Sequence, residues 1–189
     1  MPVAGLILAG GLGTRLGGVD KPLLRLGATT LIEHLLARLR PQLGAVAISA
    51  NGDPARYRRF GLPVLPDQAP GLGPLGGIAA GLAWADGQGA EWLLSVPGDT
   101  PFVPPDLLAR LSPPPAVAAS AGRVHHAVAV WPVAARAALE QRLASGGERS
   151  ISGFARTVGM RIVTFEAGPR DPFFNVNTPQ DLAEARGAG

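Results

Sequence analysis

Of the 17 basic residues in this chain of 189, one is a lysine, Lys21, and the other 16 are arginines. A lysine ammonium is a compact point charge that fits among phosphate oxygens, where the planar guanidinium fork needs more room. Lys21 closes the stretch LAGGLGTRLGGVDK, Leu8 to Lys21, in which an apolar run passes into glycines. Without side chains, backbone N–H groups can converge on anionic oxygens, and Arg15 adds a second cation. Two familiar phosphate loops do not fit. G-x-G-x-x-G, placed on Gly11 and Gly13, requires glycine where Leu16 stands, which argues against a dinucleotide oxidoreductase; G-x-x-x-x-G-K-[ST] fails because Pro22 follows Lys21.

Asp99 lies in VPGDTPF, on a loop stiffened by Pro97, Pro101, Pro104 and Pro105. A carboxylate there can hold Mg²⁺, which keeps several waters and needs one or two carboxylates plus substrate phosphates. Asp67, in PDQAPGLGPLGG, precedes a second glycine-rich helix start, where a lone aspartate also reads as a turn residue. Asn175 and Asn177, two of only three asparagines, alternate in FFNVNTPQDL, so an extended backbone points both one way. Thr178, Pro179 and Asp181 read as a helix cap. His125 and His126 are adjacent, which in a strand sends them to opposite faces, and His34 sits in a helical pattern. No G-x-S-x-G turn supports hydrolase chemistry.

The elements that must position these groups alternate. Strands are expected at Val3–Ala9, Ala45–Ala50, Leu62–Leu65, Glu91–Val96, Ala116–Ser120, Ala127–Trp131 and Arg161–Phe165. Helices are expected at Thr30–Leu39, Leu75–Ala85, Asp106–Leu111, Val133–Leu143 and Pro179–Arg186. Regular alternation through residue 111 implies βαβ units in a largely parallel sheet, hence an α/β fold of three αβα layers with ligands at the carboxyl ends of strands. After Pro113–Pro115 the rhythm loosens, and a mixed sheet with an antiparallel strand is expected. The length suits a single domain, 1–189, with a nucleotide-binding part in 1–111 and an acceptor-side part in 112–189.

Composition narrows the classes. No apolar run is long enough to span a bilayer, and MPVAGLILAGG reads as a buried strand and not as a signal peptide, so the cytoplasm is the expected compartment and no membrane partner is expected. There are no cysteines, which excludes disulfides, thiolate metal sites and a cysteine nucleophile. The net charge of +3 suits anionic small molecules, while no dense basic run marks a nucleic-acid binder. Arg56, Arg58 and Arg59 come nearest to a cluster and are expected to coat a solvated helix.

Taken together, LILAGGLGTRLGGVDKPLLRLG, ISAN, LPDQAPGLGPLGGIAAGL, PGDTPFVP and FFNVNTPQDL resemble, in order and over nearly the whole chain, the molybdenum cofactor guanylyltransferases, of the Rossmann-like nucleotide-diphospho-sugar transferase fold. The resemblance implies GTP and molybdopterin as substrates, a Mg²⁺ ion, and transient contact with proteins that deliver or receive the cofactor. It implies that Leu8, Ala9, Gly10 and Gly11 embrace the base and ribose. Lys21 and Arg15 would contact the phosphates, Asn51 and Asp67 would bind GTP, and Asp99 would bind both Mg²⁺ and GTP. Asn175 and Asn177 would lie near the metal or the acceptor. Guanine follows from the resemblance and not from spacing; a cytidylyl or sugar-phosphate nucleotidyltransferase and a non-catalytic nucleotide-binding regulator are the alternatives. The chain departs from the family at Gly98, where a small polar residue or cysteine is frequent.

Overall fold

The computed structural model describes residues 1–10, 20–67 and 71–187. Its frame is a seven-stranded sheet in the order β5-β4-β1-β6-β8-β7-β9. The strands are β1 (Val3–Leu8), β4 (Ala45–Ser49), β5 (Val64–Leu65), β6 (Trp92–Pro97), β7 (Ala116–Ser120), β8 (Arg123–Pro132) and β9 (Arg161–Phe165). A separate two-stranded hairpin joins β2 (Arg25–Leu26) to β3 (Thr29–Thr30). β8 alone runs against the others, antiparallel to both β6 and β7. The sheet is thus mostly parallel and mixed beyond the prolines, as the loosened rhythm implied.

Side-chain alternation along β1 divides the core. Ile7 packs with Ile48, Leu94 and Val96 beneath α1 (Leu31–Leu39), and Leu6 packs with Ala47 and Leu93 beneath α2 (Pro74–Gly87). Helix α1 buries Leu31, Ile32, Leu35, Leu36 and Leu39, and starts where Glu33 Oε2 accepts from both the amide and the hydroxyl of Thr30 at 2.7 Å. Helix α2 lies unusually close to the sheet. A Cβ at Gly77 would stand 2.4 Å from Ser49 Oγ, and one at Gly81 would stand 2.5 Å from Leu6 Cδ2. Each interior glycine costs roughly 1 kcal/mol of helix propensity, which close packing on β1 and β4 offsets.

The remaining helices are α3 (Leu107–Arg110), α4 (Arg136–Ala144), α5 (Ile151–Val158) and α6 (Pro179–Gly187). Several expectations need correction. The helix expected at Val133–Leu143 is a 3₁₀ turn, Val133–Ala135, followed by α4, and the strand expected at Ala127–Trp131 extends over Arg123–Pro132. The β2–β3 hairpin and α5 were not anticipated; α5 buries Phe154 and Ala155 from a segment flanked by serines and glycines. Asn175 and Asn177 lie on a segment that joins no ladder. Among the described residues no helix is long and apolar enough to cross a membrane.

Tyr57, in the 3₁₀ turn Pro54–Phe60, is fully buried, and its hydroxyl finds no hydrogen-bond partner among the described residues. Burial, reinforced by the charge of Asp20 against that of Arg56, pushes its phenol up to about 12. The unfolded phenol ionises near 10, so the stability tied to the protonated ring is complete below pH 10 and is lost as pH rises towards 12. Tyr57→Phe is therefore expected to keep or raise stability at pH 7, by up to about 1 kcal/mol, and to flatten the alkaline loss. Urea unfolding at neutral pH and above pH 10 measures both, and a marked loss at pH 7 would reveal a hydrogen bond to the hydroxyl.

Candidate functional site

Strands β4 and β5 extend the sheet on one side of β1 and β6 on the other, so the topological switch lies between the carboxyl ends of β1 and β6. The switch is tightly bound: Gly98 N–H donates to Leu8 O at 2.9 Å, and Ala9 N–H donates to Ser49 O at 2.8 Å. Leu8 is half-buried, Ala9 buried and Gly10 exposed at this rim. Gly11 and Arg15 lie outside the described residues.

Four of the expected residues meet here. Lys21 Nζ donates to Asn177 Oδ1 at 2.7 Å and lies 3.8 Å from Asp99 Oδ2. Asn175 Nδ2 donates to Asp99 Oδ1 at 2.9 Å and to Thr100 Oγ1 at 3.0 Å. The carboxylate is thus fixed through one oxygen while the other faces the ammonium. The backbone adds a further tie, Val176 N–H to Asp99 O at 2.9 Å. Asn177 is held from behind by Asp181, whose Oδ2 accepts from the amides of Asn177 and Thr178 at 2.8 Å each. Burial works against the Asp181 charge, but these amide bonds, the Thr178 hydroxyl and the Lys21 charge prevail and keep its carboxyl below the usual range. Asp181 is therefore more than a helix cap: it also anchors Asn177.

Asn51 and Asp67 form a second group at the ends of β4 and β5. Asn51 Nδ2 donates to Asp67 Oδ2 at 2.8 Å, and Asp67 N–H donates to Asn51 Oδ1 at 2.9 Å. Arg56 joins the two groups. Its guanidinium pairs with the Asp20 carboxylate, next to Lys21, and donates to the carbonyl oxygen of Asn51 and, at 2.9 Å, to that of Asp53. Arg56, Arg58 and Arg59 are all exposed, as expected of a solvated face, and Arg56 in addition pairs with Asp20 across the surface. Asp20, Arg56, Thr100 and Asp181 were not singled out as site residues. Only Asp20 carried a signal, its place before the sole lysine.

The charges constrain what can bind. Among the described residues Arg56 is engaged by Asp20, and Lys21 faces the carboxylate of Asp99. No group of three or more His, Cys, Asp or Glu side chains among the described residues could cage a metal. The Asp99 oxygen that Asn175 leaves free is a hard donor of the kind Mg²⁺ takes when water or other oxygens fill most of its shell.

A cavity of about 380 Å³ adjoins the rim, lined by Thr100, His125, Ile151, Ser152, Phe173 and Asn175 among others. A β-bulge opens it, because three residues of β8, 126 to 128, stand between the pairs Val117–Ala129 and Ala118–His125. Burial lowers the pKa of both His125 and His126, against the pull of Asp171 on the former, so both are neutral at pH 7. A larger groove of about 720 Å³ lies at the opposite end of β6, where Asp86 and Glu140 bind Arg136. None of the expected site residues lines it.

Comparison with known proteins gives concordant matches. A family model described as the MobA-like NTP transferase domain matches residues 5–158. A molybdenum cofactor guanylyltransferase of Acidiphilium cryptum is 58% identical over 181 residues, 95% of this chain and 92% of the relative. One from Bradyrhizobium sp. is 45% identical over 193 residues, 97% and 91% of the two chains. Among solved structures, the molybdopterin-guanine dinucleotide biosynthesis protein A of Archaeoglobus fulgidus superposes with a TM-score of 0.73 at 24% identity, covering 99% of this chain and 97% of that one. The 2-C-methyl-D-erythritol 4-phosphate cytidylyltransferase of Thermus thermophilus gives 0.67 at 22%, covering 99% and 98%. These two similarities establish the fold alone.

Gly98 has a local cause in this chain. A Cβ there would stand 2.8 Å from Cγ of Pro22 and 3.3 Å from Cγ2 of Ile7. The buried Pro22 ring occupies the space a larger residue would need. Gly98→Cys is expected to cost about 1–3 kcal/mol through overpacking, and combining it with Pro22→Gly should recover a coupling of about 0.5–3 kcal/mol. Urea unfolding of the four-member cycle measures the coupling, and strict additivity would show that the proline is not the obstacle.

Proposed function

Since this chain belongs to the family of MobA-like NTP transferase domains, we propose that it transfers GMP from GTP to the terminal phosphate of molybdopterin, releasing pyrophosphate. The observation that carries the reading is the meeting of Lys21, Asp99, Asn175 and Asn177 at the switch between β1 and β6. The choice of substrates is supported by relatives that carry this activity in their names and match 95% or more of the chain.

In this reading Leu8 to Gly11 present backbone to the base and ribose, and the Asn51–Asp67 pair lines the same nucleotide. Lys21 and Arg15 bind the triphosphate. The Lys21 ammonium has three donors, of which Asn177 takes one and fixes the direction of the rest. Asp99, with Asn175 beside it, would hold Mg²⁺, which supplies charge neutralisation at the phosphates. An oxygen of the acceptor phosphate attacks the α-phosphorus in line, the bond from the α-phosphorus to the bridging oxygen breaks, and pyrophosphate leaves with that oxygen. The attacking phosphate is already ionised, so no general base is required. Of the histidines, the His34 ring is engaged by Leu26 O and the Thr29 hydroxyl, and His125 by the Ser120 hydroxyl.

The cavity beside Asn175 and Phe173 suits the ring system of the acceptor, with its phosphate directed at Asp99. Nucleotide and acceptor would then divide between 1–111 and 112–189, with Asn175 and Asn177 reaching back across. The cytoplasm, where GTP is abundant, is the compartment this chemistry suits.

Asp99→Ala is expected to lower turnover by a factor of about 10²–10³, the usual cost of removing one group that stabilises transition-state charge. Pyrophosphate release in the presence of GTP, molybdopterin and Mg²⁺ is the assay; near-normal activity at saturating Mg²⁺ would refute the assignment, and consumption of CTP in place of GTP would refute the base. Lys21→Ala should weaken GTP binding by about 1.5–3 kcal/mol, one charged hydrogen bond. Titration calorimetry with Mg²⁺ present measures this, and unchanged affinity together with an unchanged rate would remove Lys21 from the site.

A further inference from the structure

Ser120 closes β7 with its side chain fully buried. Its hydroxyl lies 2.7 Å from Asp171 Oδ1 and 2.8 Å from His125 Nε2. A serine hydroxyl has one proton, and a carboxylate only accepts. The proton therefore goes to Asp171, and the serine oxygen accepts from His125 Nε2–H. That arrangement selects one tautomer of the neutral imidazole, protonated at Nε2.

The same Asp171 oxygen accepts the amide of Phe173 at 2.8 Å. The Phe173 ring is buried, with its centroid 4.9 Å from that of His125 and 5.0 Å from that of Phe165. Two residues further on, Asn175 donates to Asp99 and Thr100. The segment from 171 to 178 pairs with no strand, so these few contacts fix its course. Downstream, Val176 and the Asp181 box hold Asn177. Upstream, the polar tie to the sheet is the hydroxyl of Ser120.

We propose that the hydrogen-bonded chain His125–Ser120–Asp171 is a positioning device that sets Asn175 against Asp99. It connects the β7–β8 end, which also walls the adjoining cavity, to the carboxylate at the switch of the sheet. His125, Phe173 and Asn175 all line that cavity, so the chain aligns the acceptor's wall with Asp99. None of the three residues in the chain touches Asp99, and each acts through Asn175. The role rests on the reading of this rim as the site of nucleotidyl transfer.

Ser120→Ala removes the link with little change in volume. It is expected to lower kcat by roughly 10–100-fold, as loss of an outer partner of a metal-site residue does, with KM for GTP within about two-fold. In ligand-free protein it should also shift the Asn175 side-chain amide signal in the ¹⁵N spectrum. Asp171→Asn, which keeps an oxygen to accept from Ser120 and Phe173, should retain most of the activity, while Asp171→Ala should behave like Ser120→Ala. Leu139→Ala, in α4 on the other face of the sheet, serves as a variant of lowered stability that leaves the chain intact. The proposal is overturned if Ser120→Ala leaves kcat and the amide signal unchanged, or if Leu139→Ala lowers kcat as much. Should Ser120→Ala fail to fold, Asp171→Ala, which breaks the same link, carries the same measurements. Should the wild-type protein transfer no GMP, the function reading fails, and the amide signal still decides whether the chain positions Asn175.

Discussion

An ammonium and a carboxylate 3.8 Å apart, each side chain about one-fifth exposed, form the contact on which the rest of the molecule converges. Such a pair contributes little to stability, because partial desolvation offsets the attraction between the charges. The fold therefore holds the pair, and the pair does not hold the fold. Two asparagines make this tolerable: Asn177 accepts from the ammonium and Asn175 donates to the carboxylate, so each ion keeps a directed partner without a further charge. Being neutral, these amides add no net charge to the rim, as another arginine or aspartate would.

Keeping that contact at the switch of the sheet shapes the packing around it. Gly98 accepts the Pro22 ring beside it, and Gly77 and Gly81 let α2 settle on β1 and β4. The lone antiparallel strand has its own part. Because β8 enters from the carboxyl rim, its first residues reach the site before it pairs with β6, and pairing begins only at Ala129 opposite Ser95. The bulge at 126 to 128 then turns the gap into a cavity. A parallel strand at that place would present its carboxyl end to the rim and a following loop, with no ladder to hold the wall rigid.

Much of this was legible in the sequence, for identifiable reasons. Parallel central strands read as continuous apolar runs, so Val3–Leu8 and Trp92–Pro97 were placed to within a residue or two. Lys21, Asp99, Asn175 and Asn177 stood out as rare residue types or as polar residues at strand ends, and the structure brings all four together. Arg56 carried no such mark. Its partner Asp20 is 36 residues away, and among 16 arginines one that pairs across the surface looks like any other. The chain through Ser120 was hidden for the same reason, since Ser120 and Asp171 are 51 residues apart and neither type is unusual. Helix α5 was missed because eight residues between glycines show too few turns for a period to stand out.

The same physics explains why the one lysine is where it is. Arginines elsewhere use their long side chains and dispersed donors to reach backbone carbonyls and aromatic rings. Arg161 donates to the carbonyls of Leu111 and Pro113, Arg38 to that of Val103, Arg40 to that of Phe60 and Arg186 to that of Arg25. Others lie over aromatic rings, Arg110 on Phe165 at 3.9 Å and Arg170 on Phe102 at 4.0 Å. A sequence pI near 10.5 therefore overstates the positive charge offered to a partner, because many of these guanidinium groups are occupied within the molecule. Among the described residues Lys21 serves neither a backbone carbonyl nor a ring. Its short-range point charge rests against one neutral oxygen, from which it can turn to a phosphate without breaking a bidentate bond. An arginine in its place would be drawn into fork-to-fork pairing with Asp99 and would neutralise that carboxylate more fully than the ammonium does at 3.8 Å.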